Sequence, residues 1–127
     1  MKKLMKPYGK ELILDLHECN PEYFTRHKIG KFLKQLCIDI DMKRATLHWW
    51  DDMGVPEEKK LTEPHLKGTS AIQFITTSNI TIHVLDILKK VFINVFSCKD
   101  FDHKLVIKKA ESFFGGYVVQ NKVIKRL

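Results

Sequence analysis

Apolar and polar positions alternate along the chain in two distinct periods, which divide it into strands and helices. Residues 11–17 (ELILDLH) carry the apolar run Leu12–Leu14 between polar flanks and predict a buried strand. Asn20-Pro21-Glu22 then reads as a helix start, with a capping side chain, proline at the first helical position and an acid in the first turn. Tyr23, Phe24, Ile29, Phe32, Leu33, Leu36 and Cys37 follow at three- and four-residue spacing, predicting an amphipathic helix that ends before Asp39–Asp41. Gly30 inside it costs about 1 kcal/mol in helix propensity, which predicts close packing against a sheet. Ala45–Trp50, 69–77, 79–84 and 91–98 read as strands. Asp102–Phe114 is a second helix, with Leu105, Ile107, Ala110, Phe113 and Phe114 as its apolar stripe; Gly115–Gly116 stops it before a last strand at 117–124. The order β-α-β-loop-β-β-β-α-β predicts an α+β fold: one domain over 1–127, a two-layer sandwich of a mainly antiparallel sheet with both helices packed on one face.

Between the second and third strands, residues 51–67 hold eight charged side chains, one Gly and two Pro. Loops of this length are uncommon in compact domains and usually functional. The formal charge of +7 raises the question of nucleic acid, but the 22 Lys and Arg are scattered as pairs (Lys2–Lys3, Lys59–Lys60, Lys89–Lys90, Lys108–Lys109) and a basic end, with no binding motif. They read as solvated faces, and no nucleic-acid partner is expected. No apolar run reaches the roughly 18 residues of a membrane span, so no membrane partner is expected. The opening MKKLMKPYGK lacks the apolar stretch of a signal peptide. Cys19, Cys37 and Cys98 are odd in number and form no C-x-x-C pair, and the six histidines lack ligand spacing. A cytoplasmic protein without a metal is expected.

One segment carries a constellation. From Ser70 to Cys98 the chain reads SAIQFITTSNITIHVLDILKKVFINVFSC, with Ser, His and Cys on consecutive strands. This segment resembles the processing and catalytic region of the short prokaryotic S-adenosylmethionine decarboxylases, which have an acid-Ser-His-x-x-Ile-His run followed by a Val-Phe-Thr-Cys strand. Ser78 falls on the processing serine, His83 on the histidine five residues later, Cys98 on the catalytic cysteine and Ser70 on the second serine, eight residues upstream. Gly9-Lys-Glu-Leu-Ile-Leu-Asp15, through Cys19-Asn20-Pro21, is similar to the family's opening segment, and Leu47-His48-Trp49-Trp50 to its Phe-His-x-Phe strand.

The resemblance implies a chain that cuts itself between Thr77 and Ser78 and turns Ser78 into a covalent pyruvoyl group. Decarboxylating an α-amino acid leaves a carbanion, and a ketone joined to the substrate amine is the electron sink that stabilises it. Ser70 is then the donor to the ester intermediate and His83 the base for the serine Cα proton. Cys98 is the acid that protonates the product carbon, as a thiol near its reference pKa of about 8.5 suits. On that assignment Cys98→Ala spares cleavage. Trp50 falls where the family stacks an aromatic on adenine, and Asp51 and Asp52 lie beside it to attract a sulfonium cation; the bland alternative turns Trp50 into the core. The resemblance also implies a homodimer with sites built from both chains, acting on a small molecule.

The chain departs from the family at four places: Thr77 for Glu, Asn79 for His, Leu85-Asp86-Ile87 for Trp-Pro-Glu, and Glu11 for His. Ile87 cannot accept the ribose hydroxyls that the family's glutamate holds, and Asp86 is the substitute one position earlier. Three functions stay open: decarboxylation of S-adenosylmethionine for spermidine synthesis, decarboxylation of a simpler basic amino acid such as ornithine or arginine, and non-catalytic binding by an unprocessed relative. Ser78 and His83 are an odd number apart, so their convergence requires a turn or bulge at Thr77–Asn79.

Overall fold

The computed structural model describes residues 6–127; the Lys2–Lys3 pair lies outside them. Eight elements follow the expected order: β1 (Gly9–His17), α1 (Arg26–Asp39), β2 (Arg44–Trp50), β3 (Gly68–Ile75), β4 (Ser78–Leu85), β5 (Lys90–Ser97), α2 (His103–Phe114) and β6 (Tyr117–Arg126). The six strands form one antiparallel sheet in the order β2-β3-β4-β5-β1-β6.

Strand periodicity decides which side chains are buried. Leu12, Leu14 and Leu16, then Ile80, Ile82 and Val84, then Val91, Ile93 and Val95 alternate onto one face and are almost fully buried. Both helices cover that face, α1 through Ile29, Phe32, Leu33 and Leu36 and α2 through Val106, Ala110 and Phe114. Phe32 and Phe114 meet at a ring separation of 4.9 Å between the helices. Burying one such side chain stabilises the fold by roughly 1.5–3 kcal/mol. The opposite face of the sheet carries Trp50, Ile72 and Phe74, exposed at 56%, 38% and 42%, beside half-buried Phe92 and Phe96.

Three details differ from the sequence expectation. Asn20 does accept a hydrogen bond from the Glu22 N–H at 3.1 Å, but it caps only the single 3-10 turn Pro21–Tyr23. Phe24 then turns into the core, and Thr25, in extended geometry, caps α1 by accepting from the Lys28 N–H at 3.2 Å. Trp49 packs over Gly30 as expected, yet a Cβ at Gly30 would sit 3.7 Å from its ring, an ordinary contact. The third strand stops at Ile75, and Thr76–Thr77 form a turn.

The 51–67 segment contains one 3-10 turn, Glu57–Lys59, and is anchored where the Leu61 N–H donates to Asp52 at 2.8 Å. Among the described residues, no helix is long and apolar enough to cross a membrane.

Candidate active site

The β3–β4 hairpin turns on two residues, Thr76 and Thr77, with Ile75 opposite Ser78. Tight hairpin turns ordinarily place Gly or Asn where φ is positive. Here a β-branched threonine occupies that region, Thr77 having φ +51°. Such a position costs on the order of 1–3 kcal/mol, and it lies immediately before the Thr77–Ser78 peptide bond.

Ser78 opens β4 on the helix-covered face and is 6% exposed. The register that sets Asn79 opposite Phe96 carries Ser78 and Thr77 to the end of β5. There the Ser78 hydroxyl accepts from the Cys98 N–H at 3.2 Å and faces two acceptors, Ser97 Oγ at 3.5 Å and Cys98 Sγ at 3.8 Å. Thr77 Oγ1 lies 3.1 Å from the same sulfur. The hydroxyls of Thr77, Ser78 and Tyr8 hold the Cys98 thiol below its ordinary value, the Thr77 contact contributing most. The thiol is therefore not the unperturbed one expected from the sequence.

Ser70 and His83 form a second group. They face each other across β3 and β4, with Ser70 Oγ 2.7 Å from His83 Nδ1. Trp50 pairs with Ser70 from β2, so the three lie side by side on the uncovered face. The turn required for convergence falls at Thr76–Thr77, one residue too early to bend β4, which runs unbroken from Ser78 to Leu85. His83 thus lies on the face opposite Ser78 and about 16 Å along the strand, at ~3.3 Å per residue. Within one chain the structure unites Ser78 with Cys98 and Ser70 with His83, and keeps the two pairs apart.

The tryptophans sort opposite to the bland alternative: Trp49 packs against the core and Trp50 stands on the open face. The acids near Trp50 are engaged. Asp51 takes a two-pronged hydrogen bond from Arg26, one arm 2.8 Å long, which holds its carboxyl below the usual range. Asp52 accepts the Leu61 N–H. Asp86 lines a cleft of about 400 Å³ with Thr25, Arg26, Lys60 and Lys67, and neither Trp50 nor His83 is among its walls. Burial pushes the Asp86 carboxyl up, with Lys67 opposing.

Residues 10–127 match the profile of the S-adenosylmethionine decarboxylase family. The chain belongs to this family. Among solved structures it is similar to the adenosylmethionine decarboxylase from Aquifex aeolicus, at 15% identity and a TM-score of 0.74, over 96% of this chain and 92% of that one. At that identity the likeness shows the fold. A comparison with curated proteins finds no match. Family membership supports an S-adenosylmethionine decarboxylase-like function.

Two neighbours of the Ser78–Cys98 pair, Ser97 and Tyr8, escape a reading by motif. Ser97 is fully buried and continues the inward row Val91, Ile93, Val95, where an apolar residue is expected; that break in the pattern is its signal. Tyr8, just before β1, stacks on Phe96 at a ring separation of 6.4 Å and adds a small share to the lowering of the Cys98 thiol. Gly9 has backbone of Ser97 and Cys98 where a Cβ would stand, so any larger residue displaces the strand end that carries Cys98.

Proposed function

We propose that this chain is a self-cleaving, pyruvoyl-dependent decarboxylase of S-adenosylmethionine, with Ser78 as the source of the pyruvoyl group. The observation that carries the reading is the setting of Ser78: a buried hydroxyl beside Cys98, directly after a threonine held at positive φ. The surroundings suit a chain that cuts there. Residues 1–77 would keep β1, β2 and β3, and residues 78–127 would keep β4, β5 and β6. In the order β2-β3-β4-β5-β1-β6 the two pieces interleave across three strand pairings, so cleavage at the hairpin tip leaves the sheet assembled.

The Ser78 hydroxyl attacks the Thr77 carbonyl, the amide becomes an ester, and loss of the serine Cα proton expels Thr77 as a carboxylate. The resulting enamine tautomerises, and water releases ammonia from it. The pyruvoyl group, once formed, supplies the electron sink for decarboxylation. Cys98 protonates the product carbon, and Trp50 stacks on the adenine. Ser70 and His83 act on Ser78 of a second copy. The separation of the two pairs within one chain supports this, as does the apolar open face, which a second copy would cover. A homodimer follows. The free thiols fit a reducing cytoplasm, and the product suits aminopropyl transfer to spermidine.

A second reading is favoured by the pocket. Asp51 is occupied by Arg26 and Asp52 by the Leu61 N–H, Asp86 shares their cleft, whose walls omit Trp50, and Ile87 replaces an acid, so among the described residues no free carboxylate stands beside Trp50 for a ribose. A simpler basic amino acid, ornithine or arginine, needs none. Release of labelled carbon dioxide from the three candidates decides between them. Turnover of S-adenosylmethionine at least tenfold faster is expected; preference for ornithine or arginine moves the chain to the second reading, and release from none removes both.

A further inference from the structure

The first step of cleavage requires an acceptor for the Ser78 hydroxyl proton. Cys98 touches that hydroxyl, and Thr77 touches Cys98. The Thr77 hydroxyl also lies 2.8 Å from the Thr76 carbonyl, so it serves either form of the sulfur. It accepts from a thiol while donating to Thr76, or swings its proton to a thiolate. A neutral hydroxyl at this position, 3.1 Å from the sulfur, can stabilise negative charge on it.

We propose that Cys98 acts before it acts in turnover: as a thiolate positioned by Thr77, it takes the Ser78 hydroxyl proton when the chain cuts itself. The inference rests on the self-cleavage reading and revises the expectation that Cys98 serves turnover alone. The proton passes from Ser78 Oγ to Cys98 Sγ. The Oγ–C bond to Thr77 forms, the C–N bond between Thr77 and Ser78 breaks, and the sulfur returns the proton to the freed nitrogen. The shift from amide to ester is an isomerisation and consumes nothing.

Cleavage then reverses the surroundings of the sulfur. On elimination the Cβ–Oγ bond of Ser78 breaks, and that oxygen departs within the new Thr77 carboxylate. Cys98 loses one hydrogen-bond donor and gains an anionic neighbour, and both changes favour the protonated thiol. The same side chain is thus a base in the precursor and an acid in the mature protein. Tyr8 is the other titratable group that acts on the thiol, and the flanking Lys99 and Asp100 are held in ion pairs with Asp41 at 2.7 Å and Lys10 at 2.9 Å.

The test follows the uncleaved full chain on denaturing gels through an alkaline pH series, with hydroxylamine added to cut any ester. In the natural chain, cleavage should quicken as pH rises, then level off once the thiol is ionised. Cys98→Ala and Cys98→Ser should slow cleavage about a hundredfold, within the usual range of a proton-transfer group. They should lose the rising limb and accumulate no hydroxylamine-sensitive chain. His83→Ala should instead accumulate that ester, because its step comes later. Thr77→Val, at an exposed position, should move the limb to higher pH, and Thr77→Ser should restore it. Circular dichroism checks that each variant folds. Ester formation in Cys98→Ala at the natural rate and with the natural limb overturns the inference while leaving self-cleavage intact. A natural chain that never cuts overturns both.

Discussion

Thr77, Ser78 and Trp50 show how far single side chains reveal this site. Trp50 stands 56% exposed beside Ser70 and His83, a large face that meets no other aromatic ring among the described residues. Stacking of this kind is worth ~1 kcal/mol beyond area burial. Trp50→Ala should therefore raise KM for S-adenosylmethionine about fivefold while self-cleavage proceeds at the natural rate, as steady-state assays and gels will read. The separations of Ser70, Ser78, His83 and Cys98 are plain in the sequence, as is their resemblance to the decarboxylase motif. Their division into two pairs is not. Face follows from strand parity, but whether a bend intervenes depends on which residue starts the turn, and Thr76-Thr77-Ser78 offers three near-equivalent choices. The engagement of Asp51 was equally hidden, because Arg26 approaches from a helix 25 residues away in sequence. The lowered Cys98 thiol likewise depends on Thr77 first, then Ser78 and, least, Tyr8, groups distant from it in sequence and brought to it only by the sheet.

At the scale of elements, apolar periodicity sufficed for the eight segments and their order, because each strand buries alternate residues and each helix a stripe. It misplaced boundaries where local signals compete. Asn20-Pro21-Glu22 has every mark of a helix start, yet Phe24 packs into the core and breaks the turn, so Thr25 becomes the cap of α1. In α2 it is Val106, absent from the expected stripe, that is fully buried beside Ala110 and Phe114, with Leu105, Ile107 and Phe113 at the margin. Gly30 illustrates the difference between packing and necessity. Trp49 covers it, but a methyl group at that position finds ordinary contact distance. Gly30→Ala should raise the free energy of unfolding by roughly 0.5–1 kcal/mol, the helix-propensity difference, as denaturant titration will measure. A destabilised variant would mean that Trp49 sits tighter on α1 than its 3.7 Å approach indicates.

For the whole molecule, the decisive facts are the interleaved strand order and the uncovered face of the sheet. Interleaving makes a cut between Thr77 and Ser78 compatible with a stable protein, because β1 of one piece stays clamped between β5 and β6 of the other. The open face carries Ile72, Phe74 and Trp50 in a layer that α1 and α2 do not reach. Ile72→Glu places a charge in the middle of that layer without disturbing the core. Sedimentation should show the natural chain as a dimer and the variant as a monomer, with cleavage slowed in the monomer because the partner's His83 is withdrawn. A cleaving monomer would contradict shared sites.

Self-processing turns on one peptide bond, Thr77–Ser78, and intact-mass spectrometry of the purified protein reads it directly. Two species are expected, residues 1–77 and residues 78–127, the latter with a blocked pyruvoyl start, and a single uncut chain for Ser78→Ala. Finding the natural protein only as the full 14.9 kDa chain would contradict self-processing.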